Sequence, residues 1–508
     1  MSAEENKPKG PDLANGVALE DIPDSGMLEG HVGDEAVLVA RTGGNLFAIG
    51  ATCTHYNGPL AEGLLVGDTV RCPWHHACFS LLTGAAVAAP AIAPVACWKV
   101  EQRDGKVFVR DKAETKTTRK SSGDTPRRIV IVGGGAAGFA AAEMLRREGY
   151  DGTLTMISSD DRAPYDRPNC SKDFLAGTAQ ADWMPMKPPE FYKEQSIDLR
   201  LRTEVSAIDA KARTVTLADG TDIAFDRLLL ATGAEPVQLE VPGADKKHVH
   251  TLRSMADAEA IIALAEKAKR AVVIGASFIG LEVAASLTAR KLEVHVVAPD
   301  RRPLEKVLGP ELGDFVRKKH EKNGVVFHLE DQVTAIEDKK VTLKSGRTLD
   351  ADLVVVGIGV KPRLELAEKA GLKVDKGVIV NAHLETSAPG LFAAGDIARW
   401  PDRHTGETLR VEHWVVAERQ GQAAARNMLG QGVAYEAVPF FWSLHYDQAV
   451  NYVGHAEKWD DTEIEGDVAK GDCVVRYRKG GKVLAVASIK ETDLDSLEAE
   501  RAMEKETA

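Results

Sequence analysis

The sequence strand, glycine turn, helix occurs twice in this chain, and a chain that carries it twice is expected to build two separate parallel-sheet units. The first copy runs from the apolar stretch 129–132 through Gly133-Gly134-Gly135-Ala136-Ala137-Gly138 into an alanine-rich helical stretch ending at Arg147. In such a unit Gly133 permits the tight turn, Gly135 lets backbone approach a pyrophosphate and Gly138 lets the helix pack closely on the strand. The helix N-terminus then attracts the phosphate charge. The second copy has a strand over 271–274, a turn Gly275-Ala276-Ser277-Phe278-Ile279-Gly280 and a helix over 281–289. Its middle glycine is replaced by Ser277, still small enough for a pyrophosphate to approach.

Each unit should place a ribose-binding group at the end of its second strand. In the first, strand 154–157 leads to Ser158-Ser159-Asp160-Asp161, and Asp160 is the candidate acid. In the second, strand 293–297 ends at Ala298, where an NAD-selective site would put an acid. Arg301 and Arg302 follow, suited to a 2′-phosphate or equally to the surface, so NADH and NADPH both stay open.

A different chemistry precedes both units. Cys53-x-His55 and Cys72-x-x-His75 each supply one sulfur and one nitrogen ligand from a short loop. Two thiolates on one iron and two imidazoles on the other would hold a Rieske-type [2Fe-2S] cluster. A tetrahedral zinc site is the alternative for two Cys and two His. The flanks Gly58-Pro59, Cys72-Pro73-Trp74-His75-His76-Ala77-Cys78-Phe79, Thr83-Gly84 and Pro90 resemble Rieske ferredoxins. Respiratory members of that group carry an extra disulfide and Ser and Tyr donors to the cluster. The corresponding positions here are Gly58, Trp74, Ala77 and Phe79, which predicts a low potential, near roughly −150 mV.

At 508 residues the chain is too long for one core and reads as three or four domains. A net charge of −12 disfavours nucleic acid and anionic membrane as partners. Residues 1–16 lack a basic segment leading into an apolar one, so no secretory signal is expected. The uncharged stretch 79–98 contains Gly84, Pro90 and Pro94 and reads as a cluster-covering loop and strand rather than a membrane span. The four cysteines outside the ligand set have no disulfide spacing, which fits a reducing, cytoplasmic location. Residues 113–126, rich in charge, Thr and Ser, read as a linker tethering two modules that exchange electrons.

Three further motifs appear in order: Leu229-Leu230-Ala231-Thr232-Gly233-Ala234, Val356-Gly357-Ile358-Gly359-Val360 and Leu391-Phe392-Ala393-Ala394-Gly395-Asp396. They resemble the two-dinucleotide flavoprotein reductases, in which the Asp396 carboxylate would accept a hydrogen bond from the flavin ribityl chain; a helix N-cap role is compatible. The segment Pro164-Tyr165-Asp166-Arg167-Pro168-Asn169-Cys170-Ser171-Lys172 is similar to a motif of ferredoxin reductases that serve oxygenases and of apoptosis-inducing-factor-like proteins. That resemblance implies that Arg167 contacts FAD and Lys172 lies near flavin N5, and alignment on it puts Ser159 where relatives have the ribose acid. Glu412-His413-Trp414 matches the same relatives, whose aromatic lies over the flavin. Pro439-Phe440-Phe441-Trp442-Ser443 and Tyr452-Val453-Gly454-His455 favour the apoptosis-inducing-factor-like branch with an N-terminal Rieske domain.

The implied fold is an all-β Rieske domain (1–112), the linker, then a glutathione-reductase-like α/β region. Its FAD domain, 127–247 and 369–432, is interrupted by an NAD(P) domain, 248–368. A C-terminal α+β domain and tail, 433–508, completes the chain and allows a homodimer by resemblance. The charge-dense stretch 493–508 reads as a solvated helix or a disordered tail. The implied activity passes electrons from NAD(P)H through FAD and the cluster to a one-electron acceptor such as an oxygenase, cytochrome or ferredoxin. Lys172 would be the catalytic group. Two rivals stand beside it: a flavin disulfide reductase or NAD(P)H oxidase using Cys170, and a redox-sensing signalling protein with slow turnover.

Overall fold

Apolar strands flanked by glycine turns account for most of the architecture, which the computed structural model describes over residues 9–114, 126–490 and 493–506. The expected linker lies almost wholly outside the described residues.

The N-terminal region is two antiparallel sheets. Six strands run in the order Val17–Ala18, Lys106–Lys112, Cys97–Arg103, Asn45–Gly50, Glu35–Thr42, Gly26–Val32. Four short strands, Leu64–Val66, Thr69–Arg71, Cys78–Ser80 and Ala86–Ala88, form the second sheet. The stretch 79–98 contributes two of those strands and the loop beyond them, and it packs into the β core through Phe79, Leu81 and Val95.

Both glycine units form five-stranded parallel sheets. The first has the order Ile197–Arg200, Thr153–Ile157, Arg128–Val132, Arg227–Leu230, Leu391–Ala393. The second has the order Val249–Thr251, Leu353–Val356, Arg270–Ile274, Glu293–Ala298, Val326–Leu329. Because Leu391–Ala393 completes the first sheet only after the second has been traversed, the second unit is an insertion into the first.

The C-terminal region is a five-stranded antiparallel sheet, Phe440–His445, Gln448–Gly454, Lys482–Ile489, Asp472–Lys479, Asp461–Asp467, followed by the helix Leu494–Glu506. This helix corrects the reading of a solvated tail. Ser496, Leu497, Glu500 and Met503 are buried, one face at helical spacing, and each fully buried apolar side chain contributes roughly 1.5–3 kcal/mol.

That helix and Trp414–Met428 hold the N-terminal region against the rest. The His76 ring meets the Glu500 carboxylate at 2.6 Å through Nδ1, and Asp493 (3.1 Å) and the Ser496 hydroxyl (3.0 Å) through Nε2. Arg419 donates to Glu500 (2.6 Å) and to the carbonyls of His76 (3.1 Å) and Ala89 (3.2 Å). Arg71 makes a bidentate pair with Glu504 at 3.0 and 2.8 Å. Burial opposes the charges on His76 and Glu500, yet Glu500 and Asp493 lift His76, and Arg419 and His76 hold Glu500 below the usual carboxylate range.

Removing one partner of such a cluster leaves a buried charge uncompensated, which typically costs about 3–5 kcal/mol. Glu500→Ala is therefore expected to lower stability by that order in denaturant unfolding followed by the cluster's visible absorbance. An unchanged midpoint would show that the contact carries no stability.

Candidate functional site

The two ligand loops repeat one backbone device. Cys53 N–H donates to the Gly58 carbonyl (2.9 Å) and Asn57 N–H returns to the Cys53 carbonyl (3.0 Å). Cys72 N–H donates to Ala77 (2.8 Å) and His76 N–H returns to Cys72 (3.2 Å). The fifth residue of each loop is left-handed, Asn57 at φ 62° and His76 at φ 61°, and Asn and His are among the side chains that tolerate this conformation. In each loop two amides point at the sulfur, those of His55 and Tyr56 at Cys53 and those of Trp74 and His75 at Cys72.

The four side chains meet as two pairs. The Cys53 and Cys72 thiols share a hydrogen bond, which pulls Cys72 down to about 7 and pushes Cys53 up. The Nδ1 atoms of His55 and His75 face each other at 3.3 Å, and burial lowers both imidazoles, His55 to about 4. Neutral imidazoles and thiolates are the forms that ligate. Among the described residues no three His, Cys, Asp or Glu side chains converge as a single ion would require. Sulfur paired with sulfur and nitrogen with nitrogen instead matches a binuclear cluster with one pair on each iron. The Gly58, Ala77 and Phe79 side chains offer it no hydroxyl, and a Cβ on Gly58 would lie 2.7 Å from Cys72 Sγ.

The first glycine turn is shaped for a nucleotide. Gly133 has φ 125°, and a Cβ there would lie 2.1 Å from the Ala231 carbonyl; one on Gly138 would lie 1.9 Å from the Gly133 carbonyl. Gly135 faces only the Arg167 guanidinium, 3.6 Å from where a Cβ would sit, leaving a gap lined by amide and cation. Asp396 is buried and accepts from Arg253, while Gly395 donates to Gln420 at 2.8 Å. Gly233, at φ 68°, lies beside the same Arg253, and Thr232 donates to the Arg363 carbonyl (3.2 Å). Arg167 Nε, Asn169 Oδ1, Arg253 Nε and His413 Nδ1 are buried without protein partners, as a polar cofactor's surroundings require.

The remaining expected residues have the following surroundings. The Asp160 carboxylate is engaged by the Tyr165 hydroxyl (2.9 Å) and the Arg162 amide (3.2 Å), while Ser159 is exposed. Trp414 starts the helix Trp414–Met428 and packs against the first unit's core; Glu412 pairs with Arg410 at 2.6 Å, and His413 packs on Phe441. Cys170 is buried, and burial pushes its thiol up to about 12, a poor nucleophile.

In the second unit Gly275 has φ 108° and approaches the Gly357 carbonyl, Gly280 packs on Gly275, and the Ser277 hydroxyl donates to Gly357 at 3.0 Å. The next residues of its helix join the two units. Lys172 Nζ donates to Glu282 at 2.9 Å, Ser171 to the same carboxylate at 2.6 Å, and Ser443 of the C-terminal sheet to its other oxygen at 2.6 Å.

His55 and His75 lie at this junction. His75 contacts the Trp442 ring at 4.2 Å between centroids and His55 contacts it at 6.2 Å. Tyr56 stacks on His55 and its hydroxyl donates to Asp166 in the segment that carries Arg167 and Lys172. Tyr56, Trp442, Glu282 and Arg253 were not selected from sequence as site residues. The nearest signal was position: Tyr56 follows a ligand, and Glu282 sits two residues past Gly280.

The profile described as "Pyridine nucleotide-disulphide oxidoreductase" matches residues 127–421, "Rieske [2Fe-2S] domain" matches 17–99, and "Reductase C-terminal" matches 440–507. Apoptosis-inducing factor 3 of Homo sapiens is 34% identical over 93% of this chain and 80% of its own length. Putidaredoxin reductase CamA of Pseudomonas putida is 38% identical over 71% of this chain and 88% of its own. Among solved structures, the covalent putidaredoxin reductase–putidaredoxin complex contains a chain that superposes with a TM-score of 0.72 at 34% identity, covering 75% of this chain and 94% of that one. The chain thus belongs to the pyridine nucleotide-disulphide oxidoreductases, in the group of ferredoxin-reductase-like and apoptosis-inducing-factor-like flavoproteins, and carries a Rieske domain at its N-terminal side. Its cofactors are FAD, NAD(P)H and a [2Fe-2S] cluster.

Purified protein is expected to carry two irons and two acid-labile sulfides per chain, with a cluster midpoint near roughly −150 mV in a redox titration. A midpoint well above zero would contradict the missing-donor argument. Cys170→Ser is expected to retain turnover, since a buried neutral thiol is not a redox nucleophile; loss of activity in a folded, flavin-loaded variant would restore the disulfide-reductase reading.

Proposed function

We propose that the protein is an NAD(P)H-dependent flavoprotein reductase whose own Rieske cluster is the outlet for electrons, which leave for a one-electron acceptor protein such as an oxygenase, cytochrome or ferredoxin. The observation that carries this reading is the contact of His75 with Trp442 beside the Lys172–Glu282 pair. It supports the reading by joining the loop that would hold the cluster to the C-terminal strand that also meets Glu282, while Tyr56 reaches Asp166 in the segment that would lie near the flavin. Bound FAD supplies the conversion between two-electron hydride chemistry and the one-electron chemistry of a cluster.

The chain's own residues divide the remaining work. Gly133, Gly135, Gly138 and Arg167 would hold the flavin pyrophosphate, with Ser159 or Asp160 toward the ribose and Asp396, backed by Arg253, toward the ribityl chain. Ala231, Thr232, Gly233 and Gly395 would let backbone close on that cofactor. Gly275, Ser277, Gly280 and Gly357 would do the same for the nicotinamide dinucleotide. Lys172 places an ammonium, steadied by Glu282, where negative charge would develop on hydride arrival. Glu412, His413 and Trp414 would close the far side, while Tyr56 and Trp442 join the modules through Asp166 and His75. None of the described cysteines is in a disulfide, which supports the cytoplasmic reading.

Burial of Cys170 gives the disulfide-reductase rival no support. The sensor rival differs in rate, so steady-state reduction of ferricyanide or cytochrome c decides between them. Rapid turnover is expected; tight nucleotide binding with negligible turnover would favour a sensor. Lys172→Ala should slow flavin reduction by about 100-fold, the scale on which a single preorganised electrostatic group contributes. An unchanged stopped-flow rate would remove its assigned role.

A further inference from the structure

The second nucleotide unit ends its strand Glu293–Ala298 without an acid and opens onto a basic cavity. In such a unit the adenosine ribose lies at the carboxyl end of this strand, where a carboxylate binds the 2′-hydroxyl and so disfavours a 2′-phosphate. Ala298 is buried and does neither. Beyond it a cavity of about 510 Å³ is lined by Arg301, Arg302, Arg317, Arg347 and His328. The cavity is tied to the strand end, because Asp331 N–H donates to the Ala298 carbonyl at 3.2 Å and Glu330 N–H to the Asp300 carbonyl at 3.1 Å.

Not every charge there is available. Arg302 is held by Asp314 (2.9 Å) and Glu305 (3.0 Å), and Arg317 by Glu321 (2.8 Å). Of the acids on the wall, Asp314 is occupied by Arg302, and Asp331 accepts from the Ser345 hydroxyl at 2.6 Å and from the Gln332 and Ser345 amides. Glu330 is exposed, and Asp300 pairs with Lys306 at 2.8 Å. Arg347 uses one terminal nitrogen on His328 Nδ1 (3.1 Å), whose Nε2 meets His295 at 2.9 Å. Arg301 is exposed and pairs with no carboxylate among the described residues. Two guanidinium groups therefore keep donors directed to solvent around a strand end stripped of its acid.

We propose that Arg301 and Arg347 form a binding site for the 2′-phosphate of the dinucleotide, so that the protein prefers NADPH to NADH. This deepens the reading of the second glycine unit as the nicotinamide dinucleotide site and rests on it. Arginine is the side chain suited to such a group, because its planar fork matches phosphate oxygens while staying charged.

Calorimetric titration of the holoprotein with 2′,5′-ADP, 3′,5′-ADP, 5′-AMP and inorganic phosphate tests the site without relying on turnover. The expected result is 2′,5′-ADP binding roughly 10- to 100-fold tighter than 5′-AMP, the range of a charge-assisted hydrogen bond. The other two probes should show no such gain. Arg301→Ala and Arg347→Ala should each remove tenfold or more of that ratio, with flavin content and melting temperature confirming that the variants fold. Equal affinity for 2′,5′-ADP and 5′-AMP overturns the proposal, as does equal gain from 3′,5′-ADP, which would mark a general anion pocket. A preference untouched by either substitution also overturns it. Stopped-flow flavin reduction separates the two levels: NADH faster than NADPH sinks this inference alone, whereas failure of both nucleotides sinks the reductase reading.

Discussion

The ion cluster of His76, Glu500, Asp493 and Arg419 is the constraint on which the arrangement of the two redox modules depends. Buried charges are tolerated only when each finds its partners, so the cluster admits one docking geometry and penalises near misses. Its anchor is a residue with a second duty. His76 is the left-handed residue that closes the second Cys/His loop, and its neighbour His75 is the proposed cluster ligand. Fixing the His76 ring between Glu500 and Asp493 therefore fixes the edge that His75 presents, and that edge meets Trp442.

A second convergence builds on the first. Lys172 comes from the first nucleotide unit, Glu282 from the helix of the second and Ser443 from the C-terminal sheet, and one carboxylate joins all three. Trp442 is adjacent to Ser443 on the same strand, and successive strand residues point to opposite faces. The strand Phe440–His445 thus turns Ser443 toward the nucleotide units and Trp442 toward the ligand histidines. One strand thus links the Glu282 carboxylate to the His55 and His75 rings.

How far the sequence reached follows from the range of each interaction. The convergence of Cys53, His55, Cys72 and His75 is legible because each loop needs only a few consecutive residues. The glycine turns are legible because their steric demands are local: a Cβ on Gly138 would strike the Gly133 carbonyl. Tyr56 reaching Asp166, Arg253 reaching Asp396 and His76 reaching Glu500 join residues more than a hundred positions apart, and no local pattern encodes them. The final helix suggests a solvated face by its charge density. Its Ser496, Leu497, Glu500 and Met503 spacing was the overlooked sign of a buried one, and the charges it buries are matched by Arg419 and His76. Arg302 was a reasonable 2′-phosphate candidate by position, but Asp314 and Glu305 already hold it, a fact visible only once the helix Glu305–Lys322 is folded.

The central claim is that electrons pass between modules of one chain held in one geometry. The most direct test is anaerobic stopped-flow reduction of the holoprotein by NAD(P)H, following cluster absorbance across a tenfold range of protein concentration at saturating nucleotide. Intramolecular transfer predicts a first-order rate constant that does not change with protein concentration. A rate that rises in proportion to protein concentration would mean that clusters are reduced by other molecules, and a cluster that stays oxidised while the flavin is reduced would contradict the account outright.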